Sequence, residues 1–342
     1  MSGENDVLFS RKGAAGIITL NRPQALNALT LDMVRQIDPQ LRAWAGDDAV
    51  RLVLIEGAGE KSFCAGGDIR ALHDWGKAGD PRAVAFYREE YRLNTLIKNY
   101  PKPYVALMDG INMGGGVGLS VHGSLRVATE RLVFAMPETG IGLFPDVGGT
   151  YFLPRCPGEI GPYLALTGER LKAADALYAG IADLYVPSAE LAELKDRLLA
   201  GEAATDMRRS PGEASLASLR AEIDRHFSRG SVAGILLSLK QDGSAWALKT
   251  AASIEAKSPL SSLVAFRQMR EGKHLSFEQA MRMEFRLASR FMQGHDFFEG
   301  VRAVVIDKDQ KPNWQPALLA DVSEAELGTY FAPLGPNELT FD

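Results

Sequence analysis

Two glycine-rich stretches are the first features of this sequence that could do chemistry. MGGGVGLSVHG at 113–123 and FCAGGDIRAL at 63–72 each lead from a short apolar run into a segment that looks helical. A helix N-terminus carries unpaired N–H groups and a partial positive charge. Two such turns that aim N–H groups at one point would form an oxyanion hole, which holds a carbonyl oxygen as it gains negative charge. Glycine suits this role because a Cβ would block the approach of that oxygen.

The same glycines do not match two other catalytic motifs. If Gly114 and Gly116 opened a dinucleotide fingerprint, the third glycine would stand at position 119, which is leucine. GLSVHG resembles a nucleophile elbow, but its second glycine comes one residue late, and Ser120 would lie inside a helix rather than at its corner. We therefore expect Ser120 not to be a nucleophile and His122 to be a packed or solvated helix residue.

A glutamate interrupts the apolar face of the helix predicted over about 82–99. Phe86, Glu90, Leu93 and Ile97 stand at i, i+4, i+7 and i+11, which places them on one face. Such a carboxylate usually lies at the edge of the stripe and reaches water or an arginine. The alternative, that it faces a polar cavity, stays open.

Short strands and helices alternate in the first part of the chain and must position these residues. Thr30 is expected to cap a helix with apolar residues three or four apart, in which Pro39 would cause a kink or an early stop. From about residue 200 the chain is predicted to be helical, with a last strand-like run at 303–308. The other strands are predicted within 7–10, 16–20 (a hairpin with the first), 51–57, 103–110, 125–130 and 132–138.

Composition limits the class of protein. The chain has 342 residues, 46% of them hydrophobic and 24% charged, and a net charge of −5 without a long basic run. We therefore expect neither nucleic acid nor a membrane as a partner. The N-terminal residues lack an apolar signal core, which predicts a cytoplasmic protein. Its 2 cysteines form no CxxC pair, and HExxH and EF-hand patterns are absent, so no metal site is implied.

Four stretches carry a family resemblance, which covers about residues 5–190. FCAGGDI, INMGGGVGLSVHG, AMPETGIGLFPDVGGTYFLPR and KAADALYAGIADLYVP stand in the order and at the spacings of the crotonase (enoyl-CoA hydratase/isomerase) superfamily. The resemblance implies an α/β fold, a spiral of ββα repeats with a helical C-terminal region packed on it. We expect an acyl-CoA-binding core at 1–200 and a mainly helical region at 201–342. It also implies an acyl-CoA substrate and no cofactor beyond the coenzyme A of that substrate.

The resemblance assigns roles to individual residues. It places the two oxyanion N–H groups on Gly67 and Gly115. It places contacts to the CoA ester at Asn27, Ala28, Ala65, Gly66, Asp68 and Ile69.

Position 118 separates two branches of the superfamily. Hydratases carry a glutamate there and a second one in the PE motif, whereas this chain has Gly118 and keeps only the second, Glu138. FYREEYRLN, MPETGIGLFPDVGG and HDFFEGVRAVVIDKDQKPNW resemble the 3-hydroxyisobutyryl-CoA hydrolase family, and this likeness runs over nearly the whole chain. In that family the residues matching Glu90, Gly115, Glu138 and Asp146 contact substrate. The resemblance thus implies hydrolysis of a short-chain 3-hydroxyacyl-CoA, foremost 3-hydroxyisobutyryl-CoA, in valine degradation.

Hydrolysis of a thioester needs an oxyanion site and a group that activates water or attacks the carbonyl carbon. Glu138 would be a general base or a nucleophile that forms a transient anhydride, and the sequence does not separate these. Asp146 would bind the substrate hydroxyl or position water, and Glu90 would close the polar end of the acyl pocket. The plain alternative is that Glu138 and Asp146 only cap turns.

Two other functions stay open at this point. An enoyl-CoA hydratase or isomerase could use Glu138 and Asp146 as its acid/base pair. A non-catalytic acyl-CoA-binding protein is the third alternative. The number of subunits is also open, with a homo-oligomer among the alternatives.

Overall fold

The computed structural model describes residues 6–202 and 205–341, and the chain groups into two compact units. The glycine-rich turns belong to unit 1, whereas Glu90, Glu138 and Asp146 belong to unit 2. The predicted division of the sequence at residue 200 stays a prediction. Among the described residues, unit 1 comprises 6–68, 92–135, 170–202 and 205–218, and unit 2 comprises 69–91, 136–169 and 219–341.

Unit 1 contains two sheets. One has the order β1-β2-β3-β5-β7-β9 and is parallel except for the β1–β2 hairpin, and the other is parallel with the order β4-β6-β8. Every residue of β5 is buried, as expected of a central parallel strand covered on both faces. The strands are β1 Val7–Lys12, β2 Ala15–Leu20, β3 Leu52–Gly57, β4 Ser62–Cys64, β5 Tyr104–Met108, β6 Ile111–Met113, β7 Leu125–Ala128, β8 Val133–Ala135 and β9 Leu184–Tyr185.

All strands among the described residues lie in unit 1, and the described part of unit 2 is helical. No helix within the described ranges is long and apolar enough to span a bilayer. The α-helices are α1 Leu31–Gly46, α2 Ile69–Lys77, α3 Arg82–Lys98, α4 Gly115–Ser120, α5 Gly149–Phe152, α6 Ile160–Thr167, α7 Ala173–Tyr178, α8 Leu191–Leu199, α9 Ser215–Phe227, α10 Val232–Asp242, α11 Ala245–Glu255, α12 Pro259–Gly272, α13 Phe277–Phe291, α14 Asp296–Val301 and α15 Glu324–Phe331. Short 3-10 turns occur at Pro23–Ala25, Glu138–Ile141, Leu153–Arg155, Ser188–Glu190, Thr205–Met207, Leu319–Asp321 and Gly335–Asn337.

Local sequence signals set the ends of several helices. The Thr30 hydroxyl accepts the N–H of Met33 at 3.2 Å, which confirms the predicted cap of α1. Pro39 lies inside this helix, but the helix continues to Gly46, so the predicted early stop does not occur. Ser276 caps α13 with a capping box. Its hydroxyl accepts the backbone N–H of Gln279, and the side-chain oxygen of Gln279 accepts the backbone N–H of Ser276.

The strand predicted at 303–308 is wrong. Arg302–Ile306 forms a π-helical turn that directly continues α14. The run of β-branched residues suggests a strand, but the Arg302 guanidinium binds the carboxylates of Glu299, Asp307 and Asp309 at 2.7–2.9 Å. These ion pairs join side chains on either side of the helical turn, and the tertiary setting overrides the intrinsic strand preference of valine and isoleucine.

Candidate active site

The two glycine-rich turns follow neighbouring parallel strands of the small sheet in unit 1. β4 pairs with β6, and each strand leads into its glycine turn at the same edge of the sheet. An ideal Cβ on Gly66 would lie 3.6 Å from the carbonyl oxygen of Met113 and 4.0 Å from the Cα of Gly114, so the turns contact each other. The two turns are therefore neighbours, and the aim of their N–H groups at one shared point stays a prediction.

Gly67 presents its N–H group away from Leu29, with which it forms an isolated parallel bridge. In this bridge the carbonyl of Gly66 accepts the N–H of Leu29, and the N–H of Asp68 donates to the carbonyl of Leu29, at 2.8 Å each. The N–H of Gly67 therefore points to the other side of the chain, where no described residue accepts it. Gly115 is the first residue of α4, and its N–H is likewise among the donors that a helix N-terminus leaves unpaired.

The glycines of the second turn do not all serve one purpose. Gly114 has φ +45°, a conformation that side chains rarely adopt. A Cβ on Gly116 would lie 2.4 Å from the carbonyl oxygen of Cys64, so this glycine lets α4 pack closely on β4. Backbone conformation therefore requires glycine at position 114 and close packing requires it at position 116, in addition to any need for substrate approach.

The predicted CoA contacts lie at the first turn and at the segment before it, except Ile69, which begins α2 in unit 2. The side chain of Asn27 is fully buried and donates to the carbonyls of Ala58 and Ser62 at 3.0 and 2.8 Å. Its oxygen accepts the N–H of Arg22 at 2.9 Å, so this side chain holds the local fold. A cavity of about 400 Å³ in unit 1 is lined by Pro23, Leu26, Asn27, Ala58, Gly59, Glu60, Lys61 and Ser62.

Unit 2 buries a group of four carboxyl side chains. The predicted residues Glu90, Glu138 and Asp146 are 1%, 5% and 5% exposed, and Glu284 of α13 is 0% exposed. One oxygen each of Glu90 and Glu138 has no hydrogen-bond partner among the described residues. Glu90 therefore does not lie at an exposed edge of its apolar stripe, and the alternative that it faces a polar cavity stays a prediction.

Burial and mutual repulsion keep protons on this group. Burial, followed by the charges of Asp146 and Glu284, raises the pKa of Glu90 well above its usual value. Burial and the charge of Asp146 do the same to the pKa of Glu138. Burial raises the pKa of Asp146 to about 7 and that of Glu284 to about 8. Asp146 and Glu284 thus change charge near neutral pH, in the range that acid/base chemistry uses.

Two tyrosines of α3 belong to the same buried group. Tyr91 donates a hydrogen bond of 2.9 Å to Oδ2 of Asp146, which lowers the pKa of that carboxyl against the effect of burial. The hydroxyl of Tyr87 is buried and has no partner among the described residues. Burial and the charges of Asp146, Glu90 and Glu138 raise the pKa of Tyr87, so it stays a neutral donor.

Sequence reasoning missed Tyr87, Tyr91 and Glu284. The sequence signal for Glu284 is the same as that for Glu90, a glutamate that interrupts an apolar helical stripe. Phe277, Met281, Glu284 and Ala288 stand at i, i+4, i+7 and i+11 on α13, and all are buried. A glutamate within an apolar helical stripe is therefore the pattern that both residues share.

The serine and histidine after the glycine turn are buried in unit 1. The Ser120 hydroxyl donates to the Gly116 carbonyl at 2.9 Å and accepts a bond of 2.8 Å from the Asn112 amide. Ser120 thus ties the end of α4 to β6, in agreement with the expectation that it is not a nucleophile.

One trio of side chains has the spacing to hold a metal ion, within the ranges that the structure describes. Potential ligand atoms of Glu222, His226 and Asp242 lie within 4.8 Å of one another. The Arg225 guanidinium donates to both carboxylates and lies 3.1 Å from Nε2 of the histidine. A cationic side chain already balances these charges.

Comparison with known proteins identifies the family. Residues 15–331 match the family model described as enoyl-CoA hydratase/isomerase, and the chain belongs to that family. A curated relative from Gallus gallus, named 3-hydroxyisobutyryl-CoA hydrolase, mitochondrial, is 52% identical over 98% of this chain and 90% of its own. The Homo sapiens relative of the same name is 49% identical over 98% of this chain and 91% of its own.

Solved structures confirm the fold class. A carnitinyl-CoA dehydratase from Mycobacterium thermoresistibile superposes with a TM-score of 0.95 and 43% identity, covering 99% of both chains. An enoyl-CoA hydratase from Rhodobacter sphaeroides 2.4.1 gives a TM-score of 0.94 and 43% identity, covering 98% of this chain and 100% of its own. The predicted crotonase-like α/β fold with a helical C-terminal region is therefore correct.

The predicted cytoplasmic localisation is contradicted by these relatives. The Gallus gallus and Homo sapiens proteins, like the other curated relatives of this name, are described as mitochondrial. The prediction rests on the lack of an apolar signal core, which is the mark of secretory signals. Mitochondrial targeting segments are amphipathic and basic, so that criterion does not detect them.

Proposed function

We propose that the protein hydrolyses a short-chain 3-hydroxyacyl-CoA thioester, with 3-hydroxyisobutyryl-CoA as the substrate. The products are 3-hydroxyisobutyrate and free CoA, a step of valine degradation. One observation carries the proposal: Glu138 is buried with an unpaired carboxyl oxygen, while position 118 offers no second glutamate for water addition. The names of the curated relatives support the same reaction.

Gly67 and Gly115 are the proposed oxyanion donors. Attack on the thioester carbonyl leaves negative charge on its oxygen, and two fixed N–H groups stabilise that charge without reorganising. Both N–H groups lack an acceptor among the described residues, which supports the role. Removing one such donor in other enzymes costs about 10²–10³ in kcat.

Glu138 is the proposed acid/base or nucleophilic group. As a general base it takes a proton from water while the water oxygen bonds to the carbonyl carbon. The C–S bond then breaks, and the CoA sulfur leaves as a thiol after receiving a proton. As a nucleophile, the carboxylate attacks the carbonyl carbon, the C–S bond breaks with release of CoA, and water then hydrolyses the resulting anhydride. Either route needs the ionised form, so activity rises with pH through the raised pKa of Glu138.

Asp146 and Glu90 are the proposed partners of the 3-hydroxyl. The unpaired oxygen of Glu90 and the second oxygen of the Asp146 carboxyl are acceptors in a buried setting, which suits a hydroxyl donor better than a plain acyl chain. The reaction needs no cofactor, because water supplies the oxygen and CoA leaves with the substrate. Homo-oligomerisation stays a prediction.

A thiol-release assay tests the proposal directly. The purified protein is given 3-hydroxyisobutyryl-CoA, isobutyryl-CoA or crotonyl-CoA. Release of free thiol is measured for each ester, and the absorbance of the conjugated thioester is measured in parallel for crotonyl-CoA. We expect rapid thiol release from the first ester. Loss of the enoyl absorbance of crotonyl-CoA without thiol release would instead identify a hydratase. Binding of all three esters without turnover would identify a non-catalytic acyl-CoA-binding protein.

A further inference from the structure

The turn that carries Asp146 is held by a carboxyl from a distant helix. Glu284 on α13 accepts the N–H of Gly148 at Oε2 and the N–H of Thr150 at Oε1, both at 2.8 Å. The two bonds hold the backbone directly after Asp146 from one side. Glu284 is fully buried, so no water replaces either bond without a rearrangement.

The turn held in this way is strained. Val147 has φ +50°, a conformation that is a true outlier for a β-branched residue, and Gly148 follows with φ +92°. Such a backbone persists only where its surroundings over-determine it. The Glu284 bonds provide that restraint immediately after the strained residue.

A second side chain holds the same turn without contributing charge. Gln268 on α12 donates to the carbonyl of Pro145 and to the hydroxyl of Thr150, both at 2.6 Å. The turn is thus held by an acidic side chain and by a neutral one. Variants of the two therefore separate the effect of holding the backbone from the effect of negative charge.

We propose that Glu284 is a positioning residue, which holds the Val147–Gly148 turn in the shape that presents Asp146 to the substrate. This rests on the proposed function, because only there does Asp146 contact substrate. Glu284 does not touch the substrate itself. It acts through the backbone geometry of the turn and through its negative charge on the neighbouring carboxyls.

The charge effect has a defined direction. The titratable groups around Asp146 are Tyr87, Tyr91, Glu90, Glu138 and Glu284. The charge of Glu284 raises the pKa of both Glu90 and Glu138. Removing that charge therefore lowers the pH at which Glu138 ionises.

The experiment compares Glu284→Gln with Gln268→Met and with the control Glu278→Gln. Glu278 lies on the same helix with its side chain 47% exposed, so its variant controls for charge removal. In Glu284→Gln the new amide side chain has one carbonyl oxygen, so it accepts only one of the two N–H groups. In the ligand-free protein, amide hydrogen exchange over 145–152 is expected to be at least about 10-fold faster in Glu284→Gln and unchanged in Glu278→Gln.

Activity provides the second arm. In Glu284→Gln, kcat/KM for 3-hydroxyisobutyryl-CoA is expected to fall about 10²-fold, the usual scale for a misplaced contact. The preference over isobutyryl-CoA should fall with it, and the acid limb of the pH profile should move to lower pH. Gln268→Met should lower the preference and leave the acid limb in place, since it removes no charge.

Two results separate failure of this proposal from failure of the proposed function. If the wild type hydrolyses the hydroxy ester and a folded Glu284→Gln keeps its preference and its acid limb, the positioning role is overturned. If the wild type releases no thiol from either ester, the proposed function fails, and hydrogen exchange alone decides whether Glu284 holds the turn. Should Glu284→Gln not fold, Glu284→Asp replaces it: it keeps the charge but is too short for both bonds, so fast exchange with an unmoved acid limb is expected.

Discussion

Tyr91 donates a hydrogen bond of 2.9 Å to Oδ2 of Asp146, whereas Tyr87, one helical turn earlier on α3, leaves its hydroxyl unpaired among the described residues. The two rings meet edge to face, with centroids 5.9 Å apart. Both side chains are buried, so they differ mainly in what the hydroxyl binds. This pair offers a matched comparison of a bonded and an unbonded phenol in one environment.

Tyr91→Phe should destabilise the protein, and Tyr87→Phe should not. A hydrogen bond to a charged group contributes about 1.5–3 kcal/mol, so we expect a loss of that order for Tyr91→Phe at pH 8. Tyr87→Phe removes a buried donor without a partner among the described residues, and its free energy of unfolding should stay within about 0.5 kcal/mol of wild type or rise. Urea unfolding measures both. Equal losses in the two variants would contradict the assigned hydrogen bond.

Glu138→Gln should abolish hydrolysis while folding and CoA-ester binding persist. A positioned acid/base group contributes about 10²–10⁴-fold, so kcat should fall by at least about 10²-fold. The exposed Glu324 offers the matched control, since Glu324→Gln removes the same charge and should leave turnover unchanged. Retention of more than about a tenth of the activity in Glu138→Gln would assign the chemistry to another group.

The wild type should prefer the hydroxylated ester over isobutyryl-CoA. A site built to bind a hydroxyl can reject its absence by as much as about 10⁴-fold, and we expect roughly 10² or more, since water can refill the gap. The measurement is kcat/KM for both esters on wild type, Asp146→Ala and Glu90→Gln. Equal kcat/KM values for the two esters on the wild type would contradict a role of Asp146 and Glu90 in hydroxyl recognition. A ratio that collapses in Glu90→Gln alone would assign that role to Glu90.

Stability should fall as pH rises towards 8. The folded-state pKa of Asp146 is raised from 3.8 to about 7 and that of Glu284 from 4.5 to about 8, so the folded state binds more protons than the unfolded state between these values. The free energy of unfolding therefore decreases with pH in this window, by up to about 1.4 kcal/mol per pH unit for one carboxyl. Asp146→Asn and Glu284→Gln should each flatten the dependence, as measured by urea unfolding from about pH 5 to 9. Parallel curves for wild type and variants would contradict the raised pKa values.

Ser120→Ala should cost stability and leave turnover. The change removes the acceptor of the buried Asn112 amide, and an unsatisfied buried donor costs about 1–3 kcal/mol. Thermal unfolding and thiol release on the same preparation test both parts. A loss of turnover in folded protein comparable with that of Glu138→Gln would restore the serine-nucleophile hypothesis.

The candidate site could be predicted from sequence only in part. The glycine turns, Glu138 and Asp146 stand in motifs that are contiguous in the chain, so they could be found without a structure. Glu284 could not be connected to them, because its contact with Gly148 joins residues 136 positions apart. Its interruption of an apolar stripe marks it as unusual, but the stripe does not identify its partners.

The sequence by itself determined the local structure of this protein: the β1–β2 hairpin, the cap at Thr30, the turns before α2 and α4 and the helical second half. These features depend on residues within a few positions of one another, and periodicity, capping and glycine content report on that range. Only the tertiary structure decided which carboxyls share one buried environment and which oxygens stay unpaired. Burial and Coulomb repulsion act through space, so the raised pKa values of Glu90, Glu138, Asp146 and Glu284 depend on helices that are distant in the chain.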